Sequence, residues 1–263
     1  MRKLDKHNFL MSVEILSVRI DVLDDQGIVS RINEFLTMNS FHQITPINPE
    51  FIMAAQHDED LQNIAAKSDL NVPDGVGLQF AARILGVSIG QRVTGVDLTW
   101  DLAKIASETG HSIFLLGAAN GVAQKVADNL KATYPGLEIA GAHSGSPSER
   151  GIVNRINSSG ADILLVAFGV PKQEKFISEN RERLNVKIAM CVGGTFDFIA
   201  GNVPRAPRWM RQIGLEWVFR LINQPKRINR VITATVRFPI AVILNKFLKY
   251  SRDGKNSINA GLE

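Results

Sequence analysis

The stretch Ser112-Ile-Phe-Leu-Leu-Gly-Ala-Ala-Asn-Gly121, running into the helical spacing of Val122 to Tyr134, decides how the rest of the chain reads. An unbroken apolar run before a glycine marks a strand covered on both faces. A strand that passes through a short glycine-bounded loop into a helix is half of a βαβ unit. Toward the C-terminus the pattern repeats. Pro135-Gly136 ends the helix, and Leu137 to Ala142 is a strand. Glu149 to Ser158 is a helix and Asp162 to Phe168 a strand. Lys172 to Leu184 is a helix, and Lys187 to Val192 is a strand closed by Gly193-Gly194. Toward the N-terminus lie helices over Leu98–Thr109, Leu78–Leu85, Phe51–Ala66 and Ile28–Met38, with strands at Leu70–Val72, Phe41–Ile47 and Val13–Ile20. The alternation implies an α/β fold: a mostly parallel, Rossmann-like sheet with helices on both faces. In such sheets ligands bind beyond the carboxyl ends of the strands.

After Gly201 the alternation stops. Pro204-Arg-Ala-Pro207 breaks it, Trp209 to Leu221 is helical, and Ile228 to Phe247 is a second helical pattern with an expected interruption at Pro239. The chain thus divides into an α/β domain over 1–202 and a basic, mainly helical C-terminal appendage over 203–263. From Val203 to Arg252 there are eleven Lys/Arg and a single acid, Glu216, a segment charge of +10 in a chain whose net charge is +4. A basic segment on an otherwise acidic chain points to an anionic partner. Interleaved with Ile232, Val236, Ile240 and Leu244, it suits burial at an anionic membrane surface better than nucleic acid. The strict count of uncharged residues leaves no stretch expected to span a membrane, and the charged start Met1-Arg-Lys-Leu-Asp-Lys-His is not that of a secretory signal. The single cysteine, Cys191, excludes an internal disulfide framework and reads as a small core residue.

Five turns carry candidate chemistry. In Asn71-Val-Pro-Asp-Gly-Val-Gly77, Asp74 is either a helix cap or a carboxylate held rigidly at the crevice. Gly117 to Gly121 is either a phosphate loop or an ordinary strand-to-helix turn. Gly169-Val-Pro-Lys-Gln-Glu174 places Pro171, Lys172, Gln173 and Glu174 at a helix start, where Lys is not favoured by the helix dipole. Gly193-Gly-Thr-Phe-Asp197 allows a ligand close to the backbone. Arg92-Val-Thr-Gly-Val-Asp97 sets Arg92 and Asp97 around a glycine, with Asp97 open to a plain capping role. The five histidines lack metal-ligand spacing, and Asp58-Glu-Asp60 reads as the solvated face of a helix.

In order along the chain, Asn48-Pro-Glu50, Pro73-Asp-Gly75, Arg92 to Asp97, Leu116-Gly117 with Gly121-Val-Ala123, Gly169 to Glu174, Gly193 to Asp197, and Arg205-Ala-Pro207 with Gly214-Leu-Glu-Trp217 together resemble the WecG/TagA/CpsF glycosyltransferases of bacterial surface polysaccharide synthesis. The resemblance covers about residues 44 to 230. It implies a peripheral enzyme on the cytoplasmic face of the inner membrane. That enzyme would move a sugar from a UDP-sugar to a polyprenyl-diphosphate-linked sugar, with inversion and with neither cofactor nor bound metal. Glucose, N-acetylmannosamine and its uronic acid all fit as donor sugars, and a homo-oligomer is compatible with the sequence. By the same resemblance Asp74 is the general base, and an ordinary carboxylate near pH 4 would be ionised at neutral pH. Asn48 and Thr45 join it as catalytic candidates. Arg92, Asp97, Gly117, Gly121, Gly169, Pro171, Lys172, Gln173, Glu174, Gly193, Gly194, Thr195 and Asp197 are the candidate substrate-binding residues. Arg220, Arg227 and Arg230 join them from the appendage, to meet the charge of the leaving UDP. The family pattern sets a Thr two residues before the Asn. Here Thr45 stands three before Asn48, and a bulge would be needed to re-aim it. The alternative class is a nucleotide-binding regulatory or nucleic-acid-binding protein with a basic arm, which would need no base at Asp74.

Overall fold

The computed structural model describes residues 3–4, 11–90 and 92–259, with side chains over 11–90 and 92–248. Six strands form one parallel sheet in the order β5-β4-β9-β8-β6-β7. They are β4 (His42–Ile47), β5 (Leu70–Pro73), β6 (Ser112–Gly117), β7 (Glu138–His143), β8 (Ile163–Ala167) and β9 (Ile188–Cys191). β6, β8 and β9 are buried along their whole length, as their unbroken apolar runs require. β4 runs outward to β5, β6 runs outward to β7, and β8 and β9 fill the middle. The strand order therefore reverses at β4 and β9, where such sheets place their ligand crevice.

One face of the sheet is covered by α1 (Asp25–Thr37), α5 (Gly95–Thr109), α6 (Val122–Thr133) and α9 (Thr195–Ile199), whose buried side chains join Ile44, Leu115, Leu165 and Met190 in one core. The other face carries two cores. One gathers α2 (Pro49–Ala55), α3 (Glu59–Lys67) and α4 (Val76–Leu85). The second gathers α7 (Ile152–Ser158) and α8 (Lys172–Glu179) on Leu164, Val166 and Ala189.

Several elements differ from the sequence reading. Val13–Ile20 is not one strand but a hairpin of β2 (Met11–Ile15) and β3 (Val18–Asp21), turned at Leu16 and Ser17 with φ of 49° and 64°. The two-residue turn has none of the Asn or Gly that usually announces one. With β1 (Lys3–Leu4) the hairpin makes a separate antiparallel sheet, which Asp21 ties to β5 by accepting from the Asn71 N–H at 2.7 Å. The helix expected over Phe51–Ala66 is two helices. Asp58 caps the second, accepting from the N–H groups of Asp60 and Leu61, and Lys175 of α8 salt-bridges Asp58 and Asp60 at 2.9 Å each. The helix expected to reach Leu184 stops at Glu179, where Asn180 donates to the Phe176 carbonyl through its backbone and its side chain.

In the C-terminal segment, Trp209–Leu221 is broken into α10 (Arg208–Gln212) and α11 (Glu216–Asn223). Gly214 takes φ +79° at the break, and a side chain there would lie 2.6 Å from Val76 Cγ1. The second helical pattern is not interrupted at Pro239. It is one helical run over 225–259, α12, with a π-turn at Thr233–Arg237 just ahead of Phe238-Pro239. The widened turn takes up the missing N–H and the ring of Pro239 within the helix. The expectation that no segment is long and apolar enough to span a membrane is also corrected. Pro225–Leu248 meets that test by length and composition, because between 231 and 248 only Arg237 and Lys246 are charged. In this structure that segment lies along the domain. Phe238 and Val242 are buried with Leu78, Ala81 and Ala82 of α4, while 11% of the apolar stretch as a whole is buried.

Candidate active site

A cleft of about 1200 Å³ opens beyond the carboxyl ends of β4, β5, β8 and β9, and α10, α11 and α12 wall its far side. β4 and β5 run in register with Ile47 beside Pro73, and the Asp74 N–H donates to the Ile47 carbonyl at 2.7 Å. That bond fixes the first residue after β5 at the cleft. α4 then starts from Gly75, at φ 97°, with no side-chain cap. The capping role open to Asp74 in the sequence is therefore not the one it takes: its carboxyl faces the cleft.

The carboxyl does not titrate near 4 as expected. Burial pushes it up to about 7; the nearby Glu216 adds to the rise, and Arg92 and Arg220 draw it back. A base that titrates near neutral pH is well matched to taking a proton from a hydroxyl there.

Opposite Asp74 stand the arginines of the C-terminal segment. Arg220 lies 4.5 Å over the Phe198 ring, and its Nε is buried with no hydrogen-bond partner among the described residues. Burial, then Arg227 and Arg230, lower the Arg220 pKa to about 10, and burial followed by Arg230 lowers that of Arg227. Arg230 is tied to Glu50 by an ion pair. Three guanidinium groups that repel one another in a half-dry cleft make a site that an anion would stabilise. Gly194 lets them approach the β9 loop: a Cβ there would come 2.6 Å from Arg220 Nη2. Arg205 anchors the segment's root, 2.7 Å from Asp97 and 3.5 Å from Glu216.

The loops after β8 and β9 are held by one side chain. Gln173 Oε1 accepts from the Gly169 N–H at 3.0 Å and from the Gly193 N–H at 2.9 Å, and its Nε2 donates to Glu174 Oε1 at 2.8 Å. Glu174 lies behind the cleft against Cys191, and burial raises its carboxyl to about 7. Cys191 is buried, as expected of a core residue.

Of the residues named from the sequence, Asn48, Asp74, Arg92, Gly169, Gln173, Gly193, Gly194, Thr195, Arg220, Arg227 and Arg230 all line this one cleft. Asn48 also caps α2, its Oδ1 accepting from the Phe51 N–H at 2.9 Å. Thr45 does not reach it. No bulge interrupts β4, so Thr45 faces the core, 2.8 Å from Ser68 Oγ, and Pro46 stands at the cleft two residues before Asn48. Asp97 is engaged in a reciprocal cap with Thr94, which donates to it at 2.6 Å, and in the pair with Arg205. Gly117 packs on the Ala167 backbone and Gly121 starts α6, both away from the cleft lining. Pro171 precedes α8, Lys172 is its exposed first residue, and Asp197 lies on α9 near Arg227 without lining the cleft. Three contributors were given no role from the sequence. Glu50 and Glu216 sit inside recognised motifs, whereas nothing in the sequence marked Phe198 as the ring beneath Arg220. Among the described residues no three His, Cys, Asp or Glu side chains converge in a metal-binding group.

A sequence profile of the family described as "Glycosyl transferase WecG/TagA/CpsF family" matches residues 13–252. The chain is 35% identical over 191 residues to an N-acetylglucosaminyldiphosphoundecaprenol N-acetyl-beta-D-mannosaminyltransferase of Bacillus subtilis (strain 168), covering 72% of this chain and 75% of that one. It is 32% identical over 200 residues to a protein of the same name from Bacillus spizizenii, covering 76% and 78%. It is 31% identical over 222 residues to another from Staphylococcus aureus (strain MRSA252), covering 83% and 87%. The alternative of a regulatory or nucleic-acid-binding protein falls away with these matches. The chain belongs to the WecG/TagA/CpsF glycosyltransferase family and is a glycosyltransferase of that family.

Proposed function

We propose that this protein transfers an N-acetylhexosamine from a UDP-sugar to a sugar carried on a polyprenyl diphosphate, with inversion and without a metal ion. N-acetylmannosamine is the leading donor sugar and N-acetylglucosaminyl diphosphate lipid the leading acceptor, by the names of the three relatives. The observation that carries the reading is the pairing, across one cleft, of the Asp74 carboxyl with the guanidinium groups of Arg220, Arg227 and Arg230. Asp74 accepts the proton of the acceptor hydroxyl, and the hydroxyl oxygen bonds to the anomeric carbon. The bond from that carbon to the UDP oxygen breaks on the opposite side, so one displacement inverts the centre. The electron pair leaves with UDP, whose growing charge is met by Arg220, Arg227 and Arg230 and by the N–H of Gly194. The cationic cluster does here what a divalent ion does elsewhere. The exposed apolar side chains of α12, with the surrounding Lys and Arg, hold the enzyme peripherally on the cytoplasmic membrane face, where the acceptor lies.

The test uses the purified protein in excess EDTA with N-acetylglucosaminyl farnesyl diphosphate and a panel of UDP-sugars. UDP-N-acetylmannosamine is expected to give UDP and a β-linked disaccharide. Transfer only on adding a divalent cation would overturn metal independence, and no transfer from any UDP-sugar would overturn the reading as a whole.

A further inference from the structure

The cleft has two chemically different ends. Asp74, Gln173 and the arginine cluster occupy the inner end. The outer end is a groove between α4 and α12, which run side by side in the same direction: Gly77 lies near the Ala234 carbonyl, and Lys246 Nζ donates to the Ile84 carbonyl at 2.5 Å. Val76, Phe80 and Arg83 fall at i, i+4 and i+7 on one face of α4 and line the groove. Pro239 and Ile243 of α12 line the opposite wall. Phe80 is 52% exposed and Ile243 38%, so the groove is open, and its mouth continues into the exposed Leu244, Phe247 and Leu248. Arg83 is exposed and makes no ion pair among the described residues. By the helical rise it stands about 10 Å along α4 from Val76, a span that matches one sugar ring and a phosphate.

We propose that this groove seats the lipid-proximal half of the acceptor: the acceptor sugar lies against Phe80, its diphosphate is held by Arg83, and its first prenyl units run along Ile243 toward the apolar face of α12. This rests on the proposed transfer to a lipid-linked sugar and adds where the lipid end binds. The placement separates the two diphosphates of the reaction, with the donor's at Arg220, Arg227 and Arg230 and the acceptor's at Arg83. It also carries the chain from the cleft to a surface suited to a bilayer interior. Remote contacts of this kind raise kcat/KM for a long-chain acceptor without touching the reacting atoms.

The test compares three acceptors in detergent-free buffer without membranes: N-acetylglucosaminyl farnesyl diphosphate, its dimethylallyl counterpart, and the octyl glycoside of N-acetylglucosamine. Arg83→Gln is expected to raise KM for the farnesyl diphosphate acceptor by about tenfold and to leave that for the octyl glycoside unchanged, with Arg83→Lys restoring part of the loss. Ile243→Ser is expected to bring the farnesyl-over-dimethylallyl preference from about tenfold to about one. Donor KM stays at its starting value in each variant, which also reports an intact fold. Unaltered diphosphate discrimination in Arg83→Gln, or a shift in donor KM instead, would overturn the assignment while leaving the transfer reaction standing. Failure of the unaltered protein to use any lipid diphosphate would remove both.

Discussion

Asp74 is held in a state that costs the folded protein stability. Its carboxyl titrates near 7 in the cleft against 3.8 as an ordinary aspartate, chiefly because burial disfavours the charged form. A carboxyl raised on folding binds its proton more tightly in the folded state. Its contribution is fully present below about pH 4, declines as pH rises through the interval between the two values, and is gone above about 7. Asp74→Asn removes that loss. Differential scanning fluorimetry should show the variant melting about 5 °C above the parent at pH 8, and together with it at pH 4. Equal melting at pH 8 would mean that the carboxyl is not desolvated. The Pro-Asp-Gly turn was legible as a turn, but a turn does not reveal the pKa of its carboxylate. That value depends on Glu216, Arg92 and Arg220, which lie far away in sequence and reach Asp74 only through the fold. Thr45 shows the converse: its spacing to Asn48 already differed from the family pattern, and the regular β4 turns it inward to Ser68.

At the level of elements, β6, β8 and β9 were legible because a strand buried on both faces must be apolar throughout. The helices ended by Gly110 and by Pro135-Gly136 were legible from their stops. The hairpin at Leu16-Ser17, the capped start at Asp58 and the π-turn before Pro239 were not. Each is set by geometry or tertiary contact that the local pattern does not encode. α12 has two unlike faces. Phe238 and Val242 pack on α4, while Ile240, Leu244, Phe247 and Leu248 are exposed. Each nearby Lys or Arg adds about 1 kcal/mol at an anionic surface. The protein should therefore float with phosphatidylglycerol vesicles and not with phosphatidylcholine vesicles. Leu244→Asp together with Phe247→Asp should abolish flotation with little change in melting temperature, because neither side chain is in the core. Flotation of the double variant at the parent level would place membrane contact elsewhere.

The whole molecule joins a sheet and a C-terminal segment into one cleft, and neither part holds a complete set of groups. The sheet supplies Asp74 and the glycine loops after β8 and β9, clamped by Gln173; α11 and α12 supply the three arginines. The alternation of strands and helices was enough to predict the crevice at the strand ends. It could not say that Gly117 and Gly121 would be left outside it, since that follows from the sheet order, which puts β6 beyond β8 and away from β4 and β5. In the proposed reaction this assembly makes Asp74 a base tuned to neutral pH. The pH dependence of kcat/KM, measured for the parent protein and for Asp74→Asn with the same donor and acceptor, tests it most directly. The parent rate should rise with pH through a midpoint near 7, and Asp74→Asn should be slower by roughly 10²–10⁴ and lose that rise. A variant that keeps the parent's rate and its pH profile would contradict the claim.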